Sequence, residues 1–250
     1  MLWPSAERWL RDEENNASSR HANLVSRCLR SLSSLPRDAR VAQFSRQVVI
    51  TTTHFVEFLG SHWMHDEQIN AGNELIMKEL GTGSRVLVVS SFQLPSLREY
   101  RARAVRYYNP RHPRIFDKAI LNDDYDVIII PAFIKPNHWT RFRVDLVDDT
   151  IEYMDPMVPD AAAPDVMLGD IRWWLGSLRG DKNLRLVPSK CPPPGQTDTD
   201  SCGIALLSTT AAELLGYPFW TQATWSEHRM QWFLRFAALF VDDELVSCCG

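Results

Sequence analysis

Cysteine is scarce in this chain of 250 residues, and the five present, Cys28, Cys191, Cys202, Cys248 and Cys249, are odd in number and unevenly spaced. Neither a disulfide framework nor a zinc-ligand spacing can be read from them. A reducing intracellular compartment, nucleus or cytoplasm, is the expected setting, and a free thiol survives there. Long apolar runs are missing too. The longest, Val127 to Ile134, is interrupted by Pro131 and falls far short of the roughly 20 residues needed to cross a bilayer, so no membrane partner is expected. The start, Met1-Leu2-Trp3-Pro4-Ser5-Ala6-Glu7-Arg8, has no basic stretch followed by an apolar one, which argues against a standard secretion signal. No sign of charge dominates: 27 basic side chains stand against 31 acidic ones, a net charge of −4, and this speaks against a bulk nucleic-acid binder. Internal repeats and low-complexity tracts are also absent.

What is present describes an ordinary globular protein. A hydrophobic fraction of 45% and a charged fraction of 23% suit one well-filled core, or at most two small ones. Residues 5 to 33 carry helical periodicity, with Trp9, Leu10, Leu24, Val25, Cys28, Leu29 and Leu32 apolar and a polar middle from Glu13 to Arg20 that can split the segment in two. Residues 1–45 therefore read as an N-terminal helical extension before a domain over residues 46–250. A helix is expected from Asp66 to Leu80, stopped at Gly81 and turning Ile69, Leu75, Ile76 and Leu80 inward. Arg85 to Ser90 and Tyr125 to Ile130 read as strands, the second apolar on both faces. Trp139 to Val147 alternates, with Phe142, Val144 and Leu146 on one face and Arg141, Arg143 and Asp145 on the other, read as outward. Asp148-Asp149 is a turn, and Thr150 to Met154 returns as a hairpin partner. Further on come a helix from Asp165 to Leu178, a strand from Leu184 to Val187, a stiff loop Cys191-Pro192-Pro193-Pro194-Gly195, a helix from Cys202 to Leu215 ended by Gly216, and a last amphipathic helix from Ser226 to Phe240. A local basic stretch, Arg98 to Arg114, reads either as a solvated helix face or as a docking patch for an acidic partner.

Four residue types fall in a telling order: His138 before Trp139, Asp155 seventeen positions after the histidine, Gln196, and Cys202 six positions after the glutamine. A thiol becomes a strong nucleophile when an imidazole holds its proton, and a carboxylate on the far ring nitrogen fixes the tautomer of that imidazole. A side-chain amide can stabilise the oxyanion of a tetrahedral intermediate. The hairpin brings His138, at the start of one strand, beside Asp155, at the end of the next. Cys202 opens a helix, where free N–H groups and the helix dipole favour a thiolate. The grouping predicts acyl transfer, peptide or isopeptide hydrolysis above all. Rivals exist for the cysteine, the histidine and the aspartate. Cys191 precedes three prolines and no helix, His62 and His65 flank Trp63, and Asp145 and Asp149 lie near Asp155.

The order His-Trp, Asp, Gln, Cys-Gly, with an upstream block Trp63-Met64-His65-Asp66-Glu67-Gln68-Ile69-Asn70, resembles the ubiquitin-like-protein cysteine protease family that removes SUMO- and NEDD8-type modifiers. Ser201 departs from that pattern, standing directly before the nucleophile where the family usually has Asp, with Asp200 one step earlier. The resemblance implies an α+β, papain-like fold with a central mixed sheet flanked by helices, and a ubiquitin-like modifier and its conjugates as partner, SUMO-type first. It implies catalytic roles for His138, Asp155, Gln196 and Cys202, the glutamine sharing the oxyanion with the Cys202 N–H. Trp63 and Trp139 would sandwich the Gly-Gly tail of the modifier, with core packing as the alternative for each, and Asp66 is a further candidate for substrate contact. No metal or organic cofactor is called for. Two other classes fit the same residues: an acyltransferase on the same core, and a modifier-binding module without activity.

Overall fold

The computed structural model describes residues 2–15, 19–45, 48–103, 116–134, 136–180 and 183–247. Cys248, Cys249 and most of the basic stretch, including Arg106, Arg111 and Arg114, lie outside them. Five strands form one mixed sheet in chain order: β1 (Val86–Val88), β2 (Val127–Ile134), β3 (His138–Asp145), β4 (Thr150–Met154) and β5 (Arg185–Val187). β2, β3 and β4 run antiparallel to one another, while β1 and β5 join the edges in parallel. The β3–β4 turn forms where expected. The Asp145 carboxylate accepts from the N–H groups of Val147 (3.1 Å) and Asp148 (3.0 Å), and Asp149 takes the left-handed conformation, φ 51°, that Asp tolerates better than most residues.

Helices cover both faces of the sheet. α5 (Gln93–Arg103), α6 (Asp117–Leu121) and α7 (Asp165–Arg179) share one apolar core with Ile128, Ile130, Phe142 and Val144. The other face carries α1 (Leu2–Asn15), α2 (Ser19–Ser34), α3 (Thr52–Val56), α4 (Asp66–Leu80), α8 (Cys202–Leu215) and α9 (Trp225–Ser247). α4 has the expected bounds. Gln68 Oε1 accepts the His65 N–H at 2.7 Å, Asp66 and Glu67 sit at its positive end, and Gly81 ends it at φ 78°. Ile69, Leu75 and Ile76 are buried and Leu80 partly so. α1 and α2 are not a loose arm: Ala6, Leu10, Val25, Cys28 and Leu32 belong to the same apolar cluster as Phe55, Trp232, Phe236 and Cys202.

One expectation needs correcting. The alternation along β3 is as read, but Arg141, Arg143 and Asp145 do not point outward. They lie beneath α8, where Arg141 and Asp145 are buried. Arg141 pairs with Glu213 of α8, and Arg143 bridges Glu213 (2.8 Å), Glu152 (3.1 Å) and Asp145 (3.2 Å). A polar face marks water only when nothing complementary covers it, and here α8 brings a carboxylate. Arg98 and Arg101, from the basic stretch, are likewise used internally, both on the buried Asp170.

No helix among the described residues is long and apolar enough to cross a membrane. Because Leu10 is wholly buried, Leu10→Ala is expected to lower unfolding free energy by about 2–4 kcal/mol. Urea denaturation checks this, and a loss under about 0.5 kcal/mol would show α1 to be detachable.

Candidate active site

The β3–β4 hairpin, the start of α8 and the loop before α4 converge at one point. His138 opens β3 and Asp155 follows the last residue of β4, with Arg141 paired to Met154 between them. His138 Nε2 lies 2.8 Å from Asp155 Oδ1. The same oxygen accepts the N–H groups of Met157 (2.8 Å) and Val158 (3.1 Å). Burial pushes the Asp155 carboxyl up, but the His138 bond and these amides outweigh it and hold the group below the usual carboxylate range. The imidazole responds in kind. The bond to Asp155, then the Cys202 thiol, raise His138 from 6.5 to about 9 against the opposing effect of burial, so the ring is an imidazolium at neutral pH.

The other ring nitrogen, Nδ1, is buried with no partner at full hydrogen-bonding distance. The nearby thiol instead makes a long contact, 3.9 Å, to the Asn137 carbonyl. Cys202 is the first residue of α8, and its turn is tied down by the preceding polar run. Ser201, at the cap position, makes no side-chain cap bond. Asp198 fixes the turn ahead of the helix: its Oδ1 accepts from Ser201 N (2.8 Å), Asp200 N (3.1 Å) and Gln196 Nε2 (3.1 Å), while Oδ2 accepts from Gln222 Nε2 (2.7 Å). These bonds hold the Asp198 carboxyl at about 2 even though burial opposes it. Gln196 Nε2 also donates to Asp198 O at 2.9 Å. The Gln196 backbone N–H donates to Pro156 O at 2.8 Å, linking the glutamine loop to the loop carrying Asp155.

The two tryptophans sit differently. Trp139 is 2% exposed, in the core, and donates its Nε1–H to Met64 O (2.8 Å). Trp63 is 47% exposed and donates to Thr199 O in the nucleophile turn (2.9 Å). Asp66 accepts the Ser91 hydroxyl at 2.6 Å. Gly203, next to the thiol, is needed for close approach. A Cβ there would meet Met64 Cβ at 2.5 Å and Trp139 Cδ1 at 3.2 Å.

The rival residues are engaged elsewhere. Cys191 lies between Arg141 and Glu213 and, chiefly through burial, its thiol is pushed up to about 11. Burial likewise puts Cys28 at about 12. Asp145 serves its turn and Arg143. His65 caps α4 through its backbone, and the His62 carbonyl accepts from Arg229. Asp198, Gln222 and Arg229 were not singled out from sequence. Asp198 had a readable signal, an acidic residue in the polar run leading into a helix; the other two had none.

Residues 62–162 match the model of the Ulp1 protease family, C-terminal catalytic domain. That segment is about two-fifths of the chain, and what it matches is a protease catalytic domain. The matched segment contains His138 and Asp155 and ends before Gln196 and Cys202. Among solved structures, the SUMO protease Ulp1 with its catalytic cysteine oxidised to a sulfenic acid is 20% identical, with a TM-score of 0.66 over 87% of this chain and 94% of that one. The Ulp1 protease domain in complex with SMT3, the yeast orthologue of SUMO, is 19% identical, with a TM-score of 0.65 over 86% and 94%. The Ulp1-like SUMO protease catalytic domain of Chaetomium thermophilum is 18% identical, with a TM-score of 0.64 over 87% and 88%. These similarities show a shared fold, the mixed sheet flanked by helices expected from sequence. No curated protein sequence matches the chain.

Two outcomes test the geometry. Gly203→Ala forces Met64 or Trp139 to move, so roughly a hundredfold loss of thiol-dependent turnover is expected, with a melting temperature lowered by overpacking; wild-type turnover would contradict the close approach. In an NMR titration the His138 ring is expected to lose its proton near pH 9, and Asp155→Asn, which removes the largest cause, to bring that titration down toward 6.5. Since the folded value is raised, the accompanying stabilisation is full below 6.5 and lost as pH rises through about 9. A wild-type ring titrating near 6.5 would show the pair to be uncoupled.

Proposed function

We propose that this chain hydrolyses the peptide or isopeptide bond after the C-terminal glycine of a ubiquitin-like modifier, SUMO-type first, with Cys202 as nucleophile. The observation that carries the reading is the 2.8 Å His138–Asp155 bond on an imidazole whose second nitrogen is left for a thiol at a helix N-terminus. The imidazolium favours the Cys202 thiolate, which attacks the glycine carbonyl carbon. The resulting oxyanion is held by the Cys202 N–H and by Gln196. Gln196 Nε2 donates to Asp198 O and Oδ1 in the resting site, so one of its two N–H groups turns from Asp198 to the oxyanion in this role. His138 then protonates the departing lysine amine, the thioester forms, and His138 draws a proton from the water that releases the product acid. Asp155 orients the ring throughout. Each step uses only groups of this chain and one water.

Trp63, exposed and anchored on the nucleophile turn, forms the outer wall of a channel that admits glycine and excludes bulkier residues. Trp139 forms its floor through the edge that reaches Gly203, and Asp66, which accepts the Ser91 hydroxyl, is taken as a further polar contact for the modifier. Residues 1–45 are taken as an N-terminal helical extension built onto the 46–250 domain through the α9 face. An intracellular site of action, nucleus or cytoplasm, fits the three described cysteines, all free.

Incubation of wild type and Cys202→Ala with propargyl or vinyl-sulfone probes built on SUMO-, NEDD8- and ubiquitin-type modifiers, read by intact mass, tests the proposal. One adduct is expected on the wild type and none on Cys202→Ala. A folded wild-type protein that captures no probe would sink the modifier-protease reading, and labelling that depends on acetyl-CoA would replace it with acyl transfer.

A further inference from the structure

Arg229, on α9, is wholly buried beneath the nucleophile turn. Its Nη2 donates to two carbonyls, His62 O beside Trp63 and Asp200 O beside the nucleophile, both at 3.1 Å. The same nitrogen lies 3.6 Å from Asp200 Oδ2, and the guanidinium stands 5.7 Å over the Trp225 ring. Nε and Nη1 have no hydrogen-bond partner among the described residues, nor does Asp200 Oδ2. A buried guanidinium so sparsely bonded costs free energy that an apolar side chain of similar volume would not. What it does contribute is a joint and a charge. The joint spans the two loops that bear Trp63 and Cys202. The charge faces the turn: burial pulls the guanidinium's pKa down while Asp200, Asp198 and Cys202, in that order, hold it up.

We propose that Arg229 is a positioning residue for the nucleophile: its guanidinium fastens the Cys202 turn to the Trp63 loop and supplies the fixed positive charge against which the Cys202 thiolate is held. Four charged groups stand around that turn: His138 on β3 and Arg229 on α9 are cationic, and Asp198 and Asp200 within the turn are anionic. Removing Arg229 leaves the two carboxylates answered by His138 alone. Removing the Asp200 charge does the reverse.

The inference rests on Cys202 as the nucleophile, and its test needs no modifier, so its failure is separable from a failure of probe capture. The rate of iodoacetamide alkylation at Cys202 is followed against pH by peptide mass spectrometry in the full chain. Arg229→Met is expected to move the midpoint up by about one pH unit, Arg229→Lys to stay near wild type, and Asp200→Asn to move it down. A structural role alone would not move the midpoint in opposite directions. Midpoints unchanged in folded Arg229→Met and Asp200→Asn would overturn the proposal. If Arg229→Met does not fold, Arg229→Gln decides: a raised midpoint supports the assignment and an unmoved one overturns it.

Discussion

The approach of α8 to the sheet governs the site. Gly203 lets the first turn of α8 come down onto Met64 and Trp139. Gly72 does the same further along, where a Cβ would meet Leu207 at 2.8 Å and hold α4 away from α8. Only at this separation does a thiol on the helix come within influence of an imidazole on the strand. The contact also closes the apolar core, since Cys202, Trp139 and Met64 belong to the same buried cluster as the N-terminal helices and α9. Folding and assembly of the site are thus one event, and side-chain volume in that core is tied to the geometry of the reacting atoms.

Bringing a helix so close to a strand buries charge at both ends of the contact. Beneath the body of α8 the charges balance. Arg141 and Arg143 meet Glu213, Glu152 and Asp145, and although burial opposes the charge of Glu213, Arg141 and then Cys191 and Arg143 keep its carboxyl below the usual range. Such a cluster contributes little net stability but ties α8 to one register on the sheet, because any slip strands a buried charge. At the N-terminal end the balance is tighter, with Asp198 and Asp200 on one side and Arg229 and the His138 imidazolium on the other.

Local order was readable residue by residue. α4 runs from Asp66 to Leu80 and β4 from Thr150 to Met154 as expected, because an acidic first turn, a stop glycine and a tight Asp turn are signals carried within a few positions. His138 and Asp155 were also legible, since one hairpin joins them and its turn fixes the register. The faces of β3 were not. Arg141, Arg143 and Asp145 alternate as an outward set would, and nothing in their own segment reveals that Glu213, some seventy positions later, covers them.

By itself, then, the sequence determined the elements, the residue types of a thiol-based site and the order in which they fall. These properties depend on interactions within a turn of helix or across one hairpin. The tertiary structure alone decided which charges are buried and which tryptophan is left open to solvent. It also decided that Asp198 ties down the turn leading into α8, and that a guanidinium from α9 bonds the carbonyls of His62 and Asp200 beneath it. Those outcomes come from elements meeting across long stretches of chain, where no periodicity or spacing records the partner, and where the desolvation of each group is set by whatever happens to cover it.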